Sequence, residues 1–305
     1  MAKTRPARPP VGRPAPKRPP LPSWPKRNGV WLGIAALTAL VVVVVVSRGG
    51  DGDPPMAQSA GFFGGDFHSL VVDPTTPGRL FVGGHEAVSV SSDGGRTWSR
   101  VGALDGADAM GWSFARDAVY VTGHPGISRS TDGAATFAKA NDGLPSTDVH
   151  AFGAGASALY AAGPANGVVA STDGGRSWER RTDAAGQAFF GRILTGPDDD
   201  QHLVAADARS GATESTDGGR TWAALGGPPS ATWVSRGVAT LFVSGRQGAR
   251  SADGGRTWTT LSLPEGASLV EADPAEANVL YAGVHDGSGV RVLVSRDGGT
   301  QWNRP

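Results

Sequence analysis

Side chains able to act as metal ligands, bases or nucleophiles are sparse in this 305-residue chain: six histidines, three tyrosines, 28 acidic residues and no cysteine. Without cysteine there is no disulfide, no thiolate-bound metal, no thiol nucleophile and no cysteine-linked lipid. Five histidines fall at two recurrent places in a repeated pattern. His68 and His150 stand at the start of a first apolar run, and His85, His124 and His285 just after a second. His202, in a DDDQH turn, is the exception. Neutral imidazoles bind zinc, copper or nickel, so such a cluster would suit a divalent metal or a small polar ligand. His85 and His124 occupy equivalent places in adjacent repeats and form the expected metal pair, although no H-x-H or H-E-x-x-H spacing occurs. Polar loop residues that happen to be histidine are the competing account. Glu86, Asp207 and Asp286 also follow second runs. They could supply the two carboxyls, about 5–10 Å apart, that glycosidic hydrolysis needs. Solvated loop acids explain them equally well. Trp112 and Trp233 begin first runs, and Arg192 holds the same place in another repeat. An aromatic face beside a guanidinium would suit a sugar or a peptide.

The elements that must position these residues are set by an octamer that recurs six times. It reads SSDGGRTW from Ser91, STDGAATF from Ser130, STDGGRSW from Ser171, STDGGRTW from Ser215, SADGGRTW from Ser251 and SRDGGTQW from Ser295. Its aspartates are spaced by 39, 41, 44, 36 and 44 residues. Recurrence at this period signals a repeat architecture. Within the octamer an Asp at the turn start accepts backbone hydrogen bonds, and Gly-Gly supplies positive φ, so the unit is a hairpin. Upstream lie two short apolar runs, such as LVVDP then LFVGG, or VHAFG then LYAAG. A third short strand enters the octamer and its terminal aromatic opens a fourth. Four short strands per unit of about 40 residues is a propeller blade. The expected fold is all-β: a six-bladed β-propeller over residues 61–305, with residues near Gly61 to Gly65 beside the last blade. Turns between second and third strands, and between blades, share one face. That face holds the five histidines.

The front of the chain is different. Residues 1–29 carry nine prolines and eight of the 28 basic residues, and no acidic residue precedes Asp51. Such a stretch cannot bury enough apolar surface to order itself and reads as a cytoplasmic tail. Residues 30–46, VWLGIAALTALVVVVVV, carry no charge. Seventeen residues span roughly 25 Å as a helix, near the lower limit for one membrane crossing. The cation asymmetry places the N-terminus inside and the rest outside. Residues 47–60 then form a linker. A signal peptide cleaved near Ala57 is the rival reading. Behind the tail, 20 basic residues face 28 acidic ones, which argues against a nucleic-acid partner.

The octamers resemble the Asp-box, or BNR, repeat of consensus S-x-D-x-G-x-T-W. Four copies match closely; the second departs at Ala135 and Phe137, and the last at Gln301. The resemblance covers about 240 residues. It implies the propeller fold, and it implies that Asp93, Asp132, Asp173, Asp217, Asp253 and Asp297 are structural, because Asp boxes lie at the blade periphery. It does not imply one activity, since the family includes sialidases, other glycosidases, sortilin-like receptors and photosystem II assembly-factor propellers. The HSLVVDP…LFVGGHEAV opening is similar to small bacterial members labelled glycosylhydrolase-like. A sialidase of this family needs three substrate-gripping arginines, a Tyr–Glu pair and an acid/base Asp. Ahead of Ser91 the chain after residue 46 offers only Arg48 and Arg79, GRIL at Gly191 is in another repeat, and Tyr120, Tyr160 and Tyr281 hold blade-core positions.

The reading that results is a single-pass, membrane-anchored, extracytoplasmic propeller that binds or scaffolds a protein, glycan or small polar ligand. A glycoside hydrolase is the alternative, and a histidine-based metal-binding protein the third. No cofactor is expected beyond a possible divalent metal.

Overall fold

A computed structural model describes residues 66–285 and 289–305. The tail, the apolar segment 30–46 and the linker therefore lie outside the described residues, as do Gly61 to Gly65 and Asp286. Among the described residues no helix is long and apolar enough to cross a membrane. One 3-10 turn, Gly102–Leu104, interrupts an otherwise all-β propeller.

The strands follow the repeat. The first sheet runs β1 (Phe67–Val72), β2 (Leu80–Gly84), β3 (Val88–Ser91) and β4 (Ser99–Arg100). The second runs β5 (Gly111–Phe114), β6 (Val119–Gly123), β7 (Gly126–Ser130) and β8 (Ala138–Lys139). Next come β9 (Ala151–Ala154), β10 (Leu159–Gly163), β11 (Gly167–Ser171) and β12 (Glu179–Thr182). They are followed by β13 (Phe189–Thr195), β14 (Leu203–Asp207), β15 (Gly211–Ser215) and β16 (Ala223–Gly226). A further four-stranded sheet holds β17 (Ala231–Arg236), β18 (Leu241–Gly245), β19 (Gly248–Ser251) and β20 (Thr259–Leu261). The last holds β21 (Ala267–Ala272), β22 (Leu280–His285) and β23 (Val290–Ser295). Successive strands within each group are antiparallel.

Six separate four-stranded sheets were expected, and the hydrogen bonding corrects this to five sheets of unequal size. β9 and β13 pair in parallel through Gly191 with Ala151 and Arg192 with Phe152, which fuses two meanders into one eight-stranded sheet. The cause is a bulge in β13 between Phe190 and Ile193, where Gly191 takes φ +75° and donates to the His150 carbonyl at 3.0 Å. The last sheet has three strands, its outer strand being reduced to a bridge between Val294 and Asn303.

Each third strand ends in the octamer serine, and each octamer closes the same way. Ser171 Oγ accepts the Gly175 N–H at 2.9 Å and donates to Asp173 Oδ1 at 2.8 Å. Asp173 Oδ1 accepts the N–H groups of Arg176 and Ser177, both at 3.0 Å, and Oδ2 accepts the Ser177 hydroxyl at 2.6 Å. Gly174 and Gly175 take φ +78° and +90°, where a side chain would be strained. In the second copy Ala134 adopts φ +69° in the place of the second glycine. The aromatic that closes each octamer packs, partly buried, against an apolar cluster. Trp258 Nε1 donates to the Leu225 carbonyl at 2.9 Å and Trp222 meets Phe189 edge-on.

Up to four donors converging on one carboxylate, as at Asp173, favour its anion. The hydroxyl and backbone N–H of Thr97 hold the Asp93 carboxyl well below the usual range, and the equivalent groups do so at Asp132, Asp173 and Asp253; at Asp297 the Gln301 N–H and the Ser295 hydroxyl lower it. Asp217 is lowered to about 2, chiefly by the Thr221 N–H and hydroxyl. Because the folded values lie below the unfolded ones, the unfolded chain binds more protons in acid. The stability from these groups is complete above pH about 5 and is lost progressively as pH falls toward the folded values. The urea midpoint should therefore fall steeply and cooperatively between pH 4.5 and 2. A midpoint that holds across that window would refute the carboxylate-turn account.

The first and last sheets meet at a seam where β1 packs on β21 and β22. The Phe67 ring fills the space over Gly283, where a Cβ would lie 2.3 Å from the ring. At the outer edge Pro305 rests on Gly95. Val292, Val294 and Tyr281 share one apolar cluster with Leu70, Phe81 and Trp112.

Candidate functional site

Second strands end in glycine at Gly84, Gly123, Gly163 and Gly245. At Gly123, Gly163 and Gly245 the reason is the lead-in to the adjacent first strand, whose backbone crosses at that point. A Cβ on Gly123 would stand 1.9 Å from the Asp108 carbonyl oxygen, and one on Gly163 would stand 2.2 Å from that of Asp148. These close crossings set two aspartates beside the histidines that follow or oppose the same strands. Asp108 is held at φ +50°, a conformation that Asp tolerates better than most residues, and its residue is 3 % exposed.

His68, in β1, brings Nε2 to 3.2 Å from Asp108 Oδ1, and His85, after β2, brings Nδ1 to 3.3 Å from the same oxygen. His124, after β6, sets Nδ1 against Asp108 Oδ2 while its backbone N–H donates to that oxygen at 3.3 Å. The far side of the same ring faces Asp148, Nε2 lying 3.6 Å from Oδ1. His150, leading into β9, places Nε2 at 2.8 Å from Asp148 Oδ1. The rings follow one another at centroid separations of 6.3, 6.3 and 5.4 Å from His68 to His150, which then stacks on Phe190. The result is a ridge of four imidazoles on two carboxylates. Its buried side is His68, His150 and Asp108; its open side is His85 and His124, whose side chains are 59 % and 52 % exposed.

Burial raises the Asp108 carboxyl, but the histidines and the His124 N–H outweigh it and the net direction is down. Burial, only partly offset by Asp148, pushes the His150 imidazole below the usual range, which favours its neutral, ligand-competent form. Despite the short distances, His68 Nε2, Asp108 Oδ1, Asp148 Oδ1 and both nitrogens of His150 are buried with no aligned hydrogen bond. Two sets of three ligand atoms converge, each within 4.8 Å: His68, His85 and Asp108, and His124, Asp148 and His150.

His85 and His124 stand side by side, ring centroids 6.3 Å apart, but they do not form the expected pair: His85 groups with His68 and Asp108, and His124 with His150 and Asp148. His285 ends β22, exposed, and belongs to neither ligand set. His202 pairs elsewhere, at 3.2 Å from Glu214. Trp112 and Trp233 are not ligand platforms: they are 0 % and 1 % exposed, because first strands are the innermost of each group. Trp112 Nε1 donates to Ser69 Oγ and its ring lies over Phe81 and Phe114. Arg192 is committed inward, Nη1 lying 2.5 Å from Glu271 Oε1, while Trp233 Nε1 donates to Oε2 at 2.9 Å. Burial drives the Glu271 carboxyl up, and Arg192 and Trp233 pull it back. Asp207 folds onto its own turn, accepting the Arg209 N–H at 2.8 Å and its guanidinium at 3.2 Å. Glu86 is exposed beside His85.

Asp108, Asp148 and Glu271 were missed by sequence reasoning. For the first two a signal exists, since each lies three residues ahead of its first strand, in ADAMG and TDVHA. Aligning the repeats on the residue that pairs with the fourth position of the second strand (Ser69, Gly111 and Ala151) places His150 where His68 and Met110 lie, and Asp108 and Asp148 at one position. No comparable pattern marks Glu271.

No protein-family model matches the chain, and no curated protein does. Solved structures share the fold. The Niastella koreensis GH74 enzyme superposes with a TM-score of 0.55 at 18% identity, over 80% of this chain and 46% of that one. YCF48 bound to D1 peptide gives 0.51 at 19%, over 83% and 86%. The extracellular domain of the one-component system BT4673 from B. thetaiotaomicron gives 0.52 at 14%, over 78% and 36%. The chain spans under half of the first and third. At these identities the likeness defines a class, the β-propeller, and its members here include an enzyme, a peptide binder and an extracellular domain.

Proposed function

We propose that this protein is an extracytoplasmic binding and assembly propeller that recognises a protein, glycan or small polar ligand at the histidine–aspartate ridge. The observation that carries the reading is the ridge itself. Four histidines from three successive strand groups converge on two aspartates, two of the four rings more than half open to solvent, and the apolar clusters do not use them. In this reading the octamers are Asp boxes in a peripheral structural role. The eight-stranded sheet counts as two blades and the Val294–Asn303 bridge as a vestigial fourth strand, giving six. Residues 30–46 anchor the propeller in the cell membrane with the N-terminus cytoplasmic, so its partners would be ones held near that membrane.

Photo-crosslinking from cells tests the recognition face. A photoreactive residue at position 86, exposed beside His85 and outside both ligand sets, should trap a discrete adduct that the same residue at position 202 does not. Equal trapping at both positions, or none at either, would remove the ridge from recognition. Turnover of a fluorogenic glycoside, lost on Glu86→Gln with the fold intact, would replace binding by hydrolysis.

A further inference from the structure

We infer that the ridge is a pair of linked divalent transition-metal sites, one formed by His68, His85 and Asp108 and the other by His124, His150 and Asp148. The inference rests on the ridge being the recognition face and names what it holds. Its first support is donor chemistry. Two imidazoles and one carboxylate per set are the borderline ligands that zinc and its neighbours prefer, and three protein ligands leave a position open for water or a bound group.

The second support is spacing. Around a tetrahedral zinc with bonds near 2.0–2.1 Å, neighbouring ligand atoms stand about 3.3–3.4 Å apart. In the first set the nitrogens of His68 and His85 stand 3.2 and 3.3 Å from Asp108 Oδ1. In the second set 2.8 and 3.6 Å to Asp148 Oδ1 bracket that edge. Third, the buried atoms of both sets face one another at contact distance without aligned hydrogen bonds. Buried polar atoms left in that condition are costly, and a cation between them satisfies donor-free oxygens and neutral nitrogens at once. Asp108, almost wholly buried, is aimed into the first set.

The two sets are joined by one residue pair. Asp108 offers Oδ1 to the first set, and its Oδ2 meets Nδ1 of His124, whose Nε2 points to the second set. A carboxylate behind a ligating histidine fixes its tautomer and raises its basicity. Asp108 is therefore a ligand in one site and a positioning residue for the other, so the sites should load interdependently.

The test uses the full-length chain, stripped with a chelator, titrated with Zn(II), desalted and analysed for bound metal. Two equivalents per chain are expected. His85→Ala and His124→Ala, both at solvent-facing side chains, should each retain one. Asp108→Asn should lose the first equivalent and bind the second about 10–100-fold more weakly. His202→Ala should retain two. With Co(II) in place of zinc, the wild type should show the intense visible bands of tetrahedral N/O ligation, halved in His85→Ala. Less than one equivalent in the wild type overturns the inference, as does retention of two in the His85→Ala, His124→Ala double variant. Ridge-specific crosslinking that persists in a chain retaining no metal overturns the metal sites and leaves recognition standing. Two equivalents without ridge-specific crosslinking uphold the metal sites and remove recognition.

Discussion

Gly123→Ala is expected to destabilise the propeller by about 3 kcal/mol or more, at the upper end of what overpacking costs. The added Cβ would lie 1.9 Å from the Asp108 carbonyl oxygen and 2.8 Å from the Asp108 carbonyl carbon. Both are main-chain atoms, so relief requires the whole lead-in of β5 to move. The proper comparison is Gly174→Ala, at a turn tip with φ +78° and nothing within 4 Å of the new methyl. That change pays only the left-handed strain of an L-residue, about 1–2 kcal/mol. Urea unfolding of the two variants separates crowding from strain, and equal midpoints would show that the crossing at Gly123 is not tight. Since the displaced segment carries Asp108, the same variant should also lose metal at the ridge.

The second large effect is expected at Arg192→Ala, which leaves the Glu271 carboxylate buried with Trp233 Nε1 but no countercharge. Removing one partner of a buried ion pair costs about 3–5 kcal/mol, whereas removing both charges together is often nearly neutral. Arg192→Met combined with Glu271→Gln keeps an acceptor for the Trp233 N–H and should recover most of the loss. A double variant no more stable than Arg192→Ala would mean that the guanidinium acts by packing and not by charge.

Much of this fold is written locally. The octamers, the paired apolar runs and their spacing place nearly every strand, because each unit is a meander whose turns are specified by its own Ser, Asp and Gly residues. The joining of two meanders is not local. It depends on Gly191 bulging toward His150, and a glycine in RILTG's flank carries no sign of which strand it will meet. Burial of Trp112 and Trp233 escaped for a related reason. An aromatic at a strand start looks exposed until neighbouring first strands converge and cover it. Histidine was legible as a cluster because five of six copies share one face. Its aspartates were not, because Asp108 and Asp148 sit in linkers, where acidic residues ordinarily need no explanation.

The seam between β1 and the last sheet also fixes an order of events. Each meander joins residues close in sequence, so it can form early and independently of the others. Phe67 over Gly283 and Pro305 on Gly95 join opposite ends of the described chain. Nearly all the loop-closure entropy of the propeller is therefore concentrated in one contact, made after the others. Weakening Phe67 should accelerate opening of the ring while leaving the individual meanders formed, so the molecule would unzip from a single place.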